Sequence, residues 1–269
     1  MMKTDTLYKY MAAIQAQHPG VWGFTTPDVS GTQNNILFAV VDDKEMVFKF
    51  GDKDLVEKNE AVSKLYNIRQ IPVPRIVARN QNDLYFEEYE KIQGRSLFEA
   101  MKRGMQDEQV KQVYQDILVC FEKMSRIAPS YINSNLKSTA HEVAKINIRN
   151  VNGEKVAQIF KFLVYMMNIF GRKGLYHSDI TPKNIIVDNK GHFLGFVDVD
   201  SVNICSKNFA FATMAAKYKE MGFNPSELLA DYRTLTHDTI DANYVNKYIN
   251  LVATGKHILW KLRRRDNGK

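Results

Sequence analysis

The chain predicts a two-lobed α+β fold, with a small antiparallel-sheet N-terminal lobe and a larger, mostly helical C-terminal lobe. Three observations carry that expectation. β-rich runs dominate up to about residue 90, and helical periodicity dominates after Gly94. The length, 269 residues with 45% hydrophobic and 25% charged, is enough for two modest cores or one large one. The expected division is 1–93 for the first lobe and 94–269 for the second.

Taken in order, Asn35–Val41 (NILFAVV) and residues 45–50 (EMVFKF) read as strands, with Asp42, Asp43 and Lys44 as the hairpin turn between them. Leu55, Val62, Leu65 and Ile68 recur at helical spacing, so residues 52–68 are expected to be a helix that ends before Pro72 and Pro74. Residues 76–78 and 84–90 read as two further strands. Val110, Val113, Tyr114, Ile117, Leu118, Phe121 and Met124 mark one amphipathic helix; Val156, Ile159, Phe160, Leu163 and Met167 mark a second that stops near Gly171 and Gly174. Residues 128–153 between them are polar and weakly patterned. Two short strands, 185–188 and 193–199, follow around Asn189, Lys190 and Gly191. Beyond Ser206 the chain reads as helices with a break at Pro225.

Charge and cysteine content exclude several classes. Of the net charge of +7, the last fourteen residues hold +5, so the body is not a basic surface and no nucleic-acid partner is expected. The most apolar stretch, residues 156–170, carries Gln158, Lys161 and Asn168 and is shorter than the ~20 residues of a membrane span. Two cysteines, Cys120 and Cys205, cannot build a disulfide framework. The opening residues mix charged and polar groups unlike a secretory leader, so a cytoplasmic protein is expected.

No GxxxxGK[ST] loop, GxGxxG or GxSxG element is present, and His141-Glu142 lacks the second histidine of a zinc-protease helix, with Lys145 in its place. Asp198 and Asp200 do not open a calcium loop, because Val202 occupies the next ligand position. The informative segment is LYHSDITPKNIIVDNKGHFLGFVDVD. His177, Asp179 and Asn184 form H-x-D-x-x-x-x-N, and Asp198 follows beyond the expected hairpin. Phosphoryl transfer needs a carboxylate to accept the proton of an attacking hydroxyl, and oxygen ligands to hold Mg²⁺ against nucleotide phosphates. Asp179, with the pair Asn184 and Asp198, supplies both kinds of group. In the strand-rich half, Lys49 lies in VFKF and Glu60 in the following helix, and a Lys–Glu pair of this kind aims an amine at phosphates. SGTQNN, from Ser30, is a polar turn that can lie over those phosphates.

These residues carry a resemblance to the aminoglycoside phosphotransferase family of kinase-like small-molecule phosphotransferases, over nearly the whole chain. SGTQNNILFAV is similar to that family's first hairpin and VFKF to its lysine strand. NEAVSKLYNIRQIPVPRIV resembles its Glu-Ala helix and Pro-rich strand, YEKIQGRSL its hinge, HSDITPKNIIVD its H-G-D-x-x-x-x-N loop and FVDVD its metal strand. The resemblance implies a bilobal protein-kinase-like fold and an enzyme that moves the γ-phosphate of ATP (or GTP) to a hydroxyl of a small molecule with Mg²⁺. It makes Asp179 the catalytic base, braced by His177, and Asn184 and Asp198 the metal ligands, with Asp200 a direct or outer contact. Lys49 would hold the phosphates, Glu60 would orient it, and the backbone from Glu90 to Ile92 would face the adenine. Ser178 departs from the family's usual glycine.

A protein kinase and a catalytically idle kinase-fold binding module remain as alternatives, and a monomer or homodimer is expected. The substrate is left open between aminoglycoside-like compounds, amino alcohols, sugars and other metabolites. Residues 201–269 hold six acids against eleven bases, poor in acid for a polycationic substrate. Tyr165, Tyr218, Tyr232, Tyr244 and Trp260 are either an aromatic cage for a quaternary amine or core.

Overall fold

A computed structural model of the chain describes residues 4–26, 35–128 and 173–266, with isolated positions at 163, 167 and 171. A five-stranded antiparallel sheet in the order β1-β2-β3-β5-β4 forms the small lobe: β1 Trp22–Thr25, β2 Asn35–Val41, β3 Lys44–Gly51, β4 Val77–Gln81 and β5 Leu84–Glu90. Asp42 and Asp43 turn the β2–β3 hairpin and Asn82 and Asp83 the β4–β5 hairpin, all four with positive φ. Asn and Asp are the non-glycine residues that tolerate this backbone, and such turns match the twist of the strands they join. The resulting register sets Lys49 opposite Ile36 on one side and Glu87 on the other.

Behind the sheet lies α1, Thr4–Gln17, an element the sequence reading did not include. Its Ile14 packs with Leu37, Phe48, Phe50 and Phe86, and Tyr10 stacks on Phe50 at 3.7 Å between ring centroids. Leu7, Met11 and Ile14 supply the i, i+4, i+7 stripe.

α2, Lys53–Ile68, begins where the side chain of Asp52 accepts from the Leu55 N–H at 2.8 Å. Its buried face is Val56, Asn59, Val62, Ser63 and Tyr66. This face is rotated from the expected stripe: Ile68 is 77% exposed. The rotation follows from what lies beneath. Tyr66 is fully buried and donates to the Leu175 carbonyl at 3.0 Å, and Ser63 Oγ ties the Pro-rich connector through the Pro74 carbonyl and the Ile76 N–H. Val62, Tyr66, Ile71 and Val73 thereby join the core of the larger lobe.

After the short α3, Leu97–Lys102, that core is organised around α4, Asp107–Ser125, whose Val110, Val113, Tyr114, Ile117, Leu118, Phe121 and Met124 are all buried as expected. Phe121 lies centrally, against Tyr176, Phe211 and Tyr232. α5, Lys207–Glu220, is buried nearly all round, so it carries no one-sided apolar stripe. α6, Pro225–Thr236, starts at Pro225 with Asn224 as its cap, and α7 runs over Ala242–Asp266. The expected helix over 156–167 and the polar segment 128–153 lie almost wholly outside the described residues. Tyr218 and Tyr232 are core residues, not walls of a cage. Cys120 and Cys205 are both buried, and neither forms a disulfide among the described residues.

Three short strands, β6 Arg95–Ser96, β8 Ile185–Val187 and β9 Phe193–Phe196, make one small sheet, and the five-residue strands β7 Lys173–His177 and β10 Val202–Ser206 make a second. The β7–β10 pair was not anticipated: both strands are short and their residues lack alternation. β9 presses against the connector after α2, where the Phe196 N–H donates to the Pro72 carbonyl at 2.9 Å. A Cβ on Gly195 would stand 2.8 Å from that carbonyl oxygen, and its φ is +156°. Gly195→Ala should therefore destabilise the fold by about 1–3 kcal/mol, read as a lowered Tm. Gly20→Ala, with nothing within 4 Å of its Cβ, should leave Tm close to wild type.

Candidate active site

Two antiparallel pairings bring the loop 177–184 and the segment 197–201 side by side. His177 pairs with Val202 across β7 and β10, and Ile185 pairs with Phe196 across β8 and β9. Between these clamps the Val197 N–H donates to the Asn184 carbonyl at 2.9 Å and the Ser178 N–H to the Ser201 carbonyl at 2.8 Å.

Within the loop, His177 is buried, and its Nε2 lies 2.9 Å from the Val197 carbonyl while its Nδ1 accepts from the Asp179 N–H at 3.3 Å. That pattern is the neutral tautomer with the proton on Nε2, and burial holds the ring's pKa below its ordinary value. Asn184 Nδ2 donates to Asp179 Oδ2 at 2.9 Å and to the Asp179 carbonyl at 3.0 Å. One amide thus fixes the orientation of the Asp179 carboxylate and leaves Asn184 Oδ1 as its remaining donor oxygen.

Ser178 is not a passive replacement for glycine. Its hydroxyl donates to the Ser201 carbonyl at 2.7 Å and accepts from Asn203 Nδ2 at 3.0 Å. The side chain adds a second tie between the two segments.

Asp198 sits in the left-handed region at φ 64, ψ 54, at the head of a single 3₁₀ turn, Val199–Ser201. A non-glycine residue there carries about 1–2 kcal/mol of backbone strain, milder for Asp than for branched residues. The turn presents both carboxylates to one cation: Lys49 Nζ lies 2.8 Å from Asp198 Oδ1 and 2.5 Å from Asp200 Oδ1. Lys49 itself is 6% exposed. Burial opposes its charge, but the carboxylates of Asp198, Asp200 and Glu87 outweigh burial and raise its pKa. Burial likewise works against the Asp198 carboxylate, yet Lys49 beside it brings its pKa below the ordinary value.

Glu60 is not brought to Lys49. Its Oε1 accepts from the Ala78 N–H at 3.1 Å, and its other oxygen pairs with Lys64 at 3.0 Å. The helix rotation that buries Tyr66 turns Asn59 inward instead. Asn59 Nδ2 donates to Glu87 Oε1 at 2.6 Å and to Asp200 Oδ1 at 2.8 Å. Asn59 and Glu87 were missed by the sequence reading, although Val56, Asn59, Ser63 and Tyr66 lie on one helical face; Glu87 faces Lys49 across the β3–β5 register, a pairing between strands separated by α2 and β4. Glu90 turns its carboxylate outward to Lys44 at 2.9 Å, and Ile92 follows half-buried in the connector to the second lobe. Ser30 lies outside the described residues.

Residues 25–203 match the family described as "Phosphotransferase enzyme family". The match spans most of the chain and both halves of the site just described, and the protein belongs to that family. Solved structures share its fold. The GDP complex of wild-type aminoglycoside 2'-phosphotransferase-IIIa superposes with a TM-score of 0.66 at 15% identity, covering 96% of this chain and 93% of that one. Choline kinase LicA from Streptococcus pneumoniae gives 0.60 at 14% identity, covering 98% and 92%. A probable serine/threonine-protein kinase of Dictyostelium discoideum, irlC, is 25% identical over 128 residues, 48% of this chain. The chain spans 9% of the length of the curated relatives it matches. Among the described residues no helix is long and apolar enough to cross a membrane.

Burial raises the pKa of Glu87 from 4.5 to about 7, with Lys49 pulling the other way. A folded-state pKa above the unfolded one means stability that is full below about pH 4.5 and is lost as pH rises through 7. Wild type should therefore lose stability between pH 4.5 and 7.5 relative to Glu87→Gln, by at most about 3 kcal/mol. Denaturant melts of both proteins across that range measure the difference, and the other titrating groups cancel in the comparison.

Proposed function

We propose that this protein transfers the γ-phosphoryl group of ATP or GTP to a hydroxyl of a small molecule, in a Mg²⁺-dependent reaction at the cleft between residues 1–93 and 94–269. The observation that carries the reading is the convergence of Lys49, Asp198 and Asp200 on one point beside a loop in which Asn184 holds the Asp179 carboxylate. The donor set suits Mg²⁺: two carboxylates and an amide oxygen are hard ligands, few enough to leave places for water and phosphate. The ammonium of Lys49 between the two carboxylates marks the place as one that takes a cation. Asp198 and Asn184 would hold the metal, with Asp200 at its edge. When bound, the ion would neutralise charge on the phosphate oxygens during transfer.

The remaining steps belong to the chain. Lys49 exchanges a carboxylate partner for the nucleotide phosphates and keeps its charge, because Glu87 and Asp200 stay near it. The backbone from Glu90 to Ile92 supplies the nucleotide base with main-chain donors and acceptors. Asp179, its carboxylate pinned by Asn184, accepts the proton of the attacking hydroxyl. His177 carries no proton in the reaction; it holds the loop to Val197 through Nε2–H.

A small-molecule acceptor is favoured over a protein one by the chain after Asp200. It passes through the turn at Val199–Ser201 directly into β10 and then into α5 at Lys207, leaving no segment to serve as a peptide platform. That solved relatives of this fold include an aminoglycoside phosphotransferase bound to GDP and a choline kinase agrees with the reading.

A nucleotide-coupled screen of aminoglycosides, macrolides, choline-like amines, sugars and amino alcohols tests the activity. With the accepted substrate, Asp179→Asn should lower turnover by about 10²–10⁴ while nucleotide affinity stays near wild type; near-normal turnover would assign the base elsewhere. Asp198→Ala should abolish metal-dependent nucleotide binding. A wild-type thermal shift with nucleotide that is unchanged by EDTA would argue against the metal assignment.

A further inference from the structure

We propose that Asn59 and Glu87 are the positioning residues for Lys49 and Asp200, and that together they replace the helix glutamate expected at Glu60. The inference rests on the nucleotide-binding reading above and deepens it. It starts from the sheet. Lys49 on β3 and Glu87 on β5 are directly opposed in the antiparallel register, so their side chains leave the same face. Glu87 is 2% exposed and Asn59 fully buried, an environment in which a carboxylate and an amide are costly unless partnered.

The partnering closes a frame drawn from four elements. Asn59 on α2 gives one Nδ2 to two acceptors, Glu87 Oε1 at 2.6 Å and Asp200 Oδ1 at 2.8 Å. The same Asp200 oxygen lies 2.5 Å from Lys49 Nζ. Asn59 Oδ1, by contrast, is buried and has no hydrogen-bond partner among the described residues. The amide is therefore oriented by its two carboxylates, at the expense of its own acceptor.

This arrangement does what a helix glutamate does, by a different route. A glutamate on α2 would reach the lysine directly. Here the negative charge comes from the neighbouring strand, and the helix contributes a neutral connector that also holds Asp200. When Lys49 turns toward phosphates, Glu87 remains as the charge behind it, and Asn59 keeps Asp200 from following. Glu60 is occupied elsewhere, by the Ala78 N–H and Lys64.

The test is a double-mutant cycle read as nucleotide affinity, with no acceptor substrate needed. Calorimetric titration of ATP and of GTP with Mg²⁺ at pH 8, where Glu87 is ionised, is run on wild type, Glu87→Gln, Lys49→Ala and the double variant. Asn59→Leu, which keeps the volume and removes the connector, is carried through the same cycle in case Glu87→Gln folds poorly. Expected is a weakening of about 5–50-fold for Glu87→Gln and for Asn59→Leu in the wild-type background, and less than twofold when Lys49 is already alanine. Equal losses in both backgrounds would mark a merely structural role and overturn the proposal. So would coupling to Lys49 found at Glu60→Ala and absent at Glu87→Gln. Wild type that binds neither nucleotide would instead sink the functional reading, a result distinguishable because no variant is needed to see it.

Discussion

One buried ammonium, held between two carboxylates of a single 3₁₀ turn, is the interaction on which the site depends. Lys49 belongs to the sheet, while Asp198 and Asp200 belong to the larger lobe. Taking such charges out of water costs several kcal/mol per ion, and only close, multiple partners offset it. The partners are supplied by strain and by register: a left-handed aspartate at the turn, and the antiparallel β3–β5 pairing that sets Glu87 opposite the lysine. Removing Lys49 would leave two half-buried carboxylates facing one another without their cation, whereas removing one aspartate leaves the lysine its other partner.

The neighbouring loop is organised on a different principle. Around Asp179 the work is done by neutral hydrogen bonds: an amide from Asn184, a neutral imidazole from His177, and the Ser178 hydroxyl linked to Asn203. The Asn184 amide fixes the direction of the Asp179 carboxylate, while the ammonium of Lys49 is taken up by Asp198 and Asp200. On the proposed reading, the group that takes the proton therefore has different partners from the group that holds phosphate.

Local chemistry made much of this legible in advance. The β2–β3 turn was readable because Asp42-Asp43 are residue types that accept positive φ, and α4 because seven apolar residues repeat at helical spacing; β4 runs on to Gln81, through residues that read as turn. The H-x-D-x-x-x-x-N loop was readable because its polar groups lie within eight residues of each other. What escaped depended on partners distant in sequence. Which residue of α2 faces the lysine is set by Tyr66 reaching Leu175 across 109 positions, and one residue of rotation separates Asn59 from Glu60. β7 and β10 owe their pairing to each other and have no pattern of their own, and α1 sets Asp5 and Lys9 among the residues of its short apolar stripe.

The anchorage of α2 has a mechanical meaning. With Tyr66 bonded to Leu175 and Val62, Ile71 and Val73 embedded in the large core, the helix is bolted to the lower body although it lies, in chain order, inside the upper one. The sheet meets it along the chain at Gly51–Lys53 and around Ile76, and through hydrogen bonds from the Ala78 N–H to Glu60 and from Asn59 to Glu87. The helix is then a shared post, seated in the lower core and bonded to the upper sheet. Its Asn59 spans Glu87 of the strand and Asp200 of the turn, so one side chain of the post sets the gap between the two.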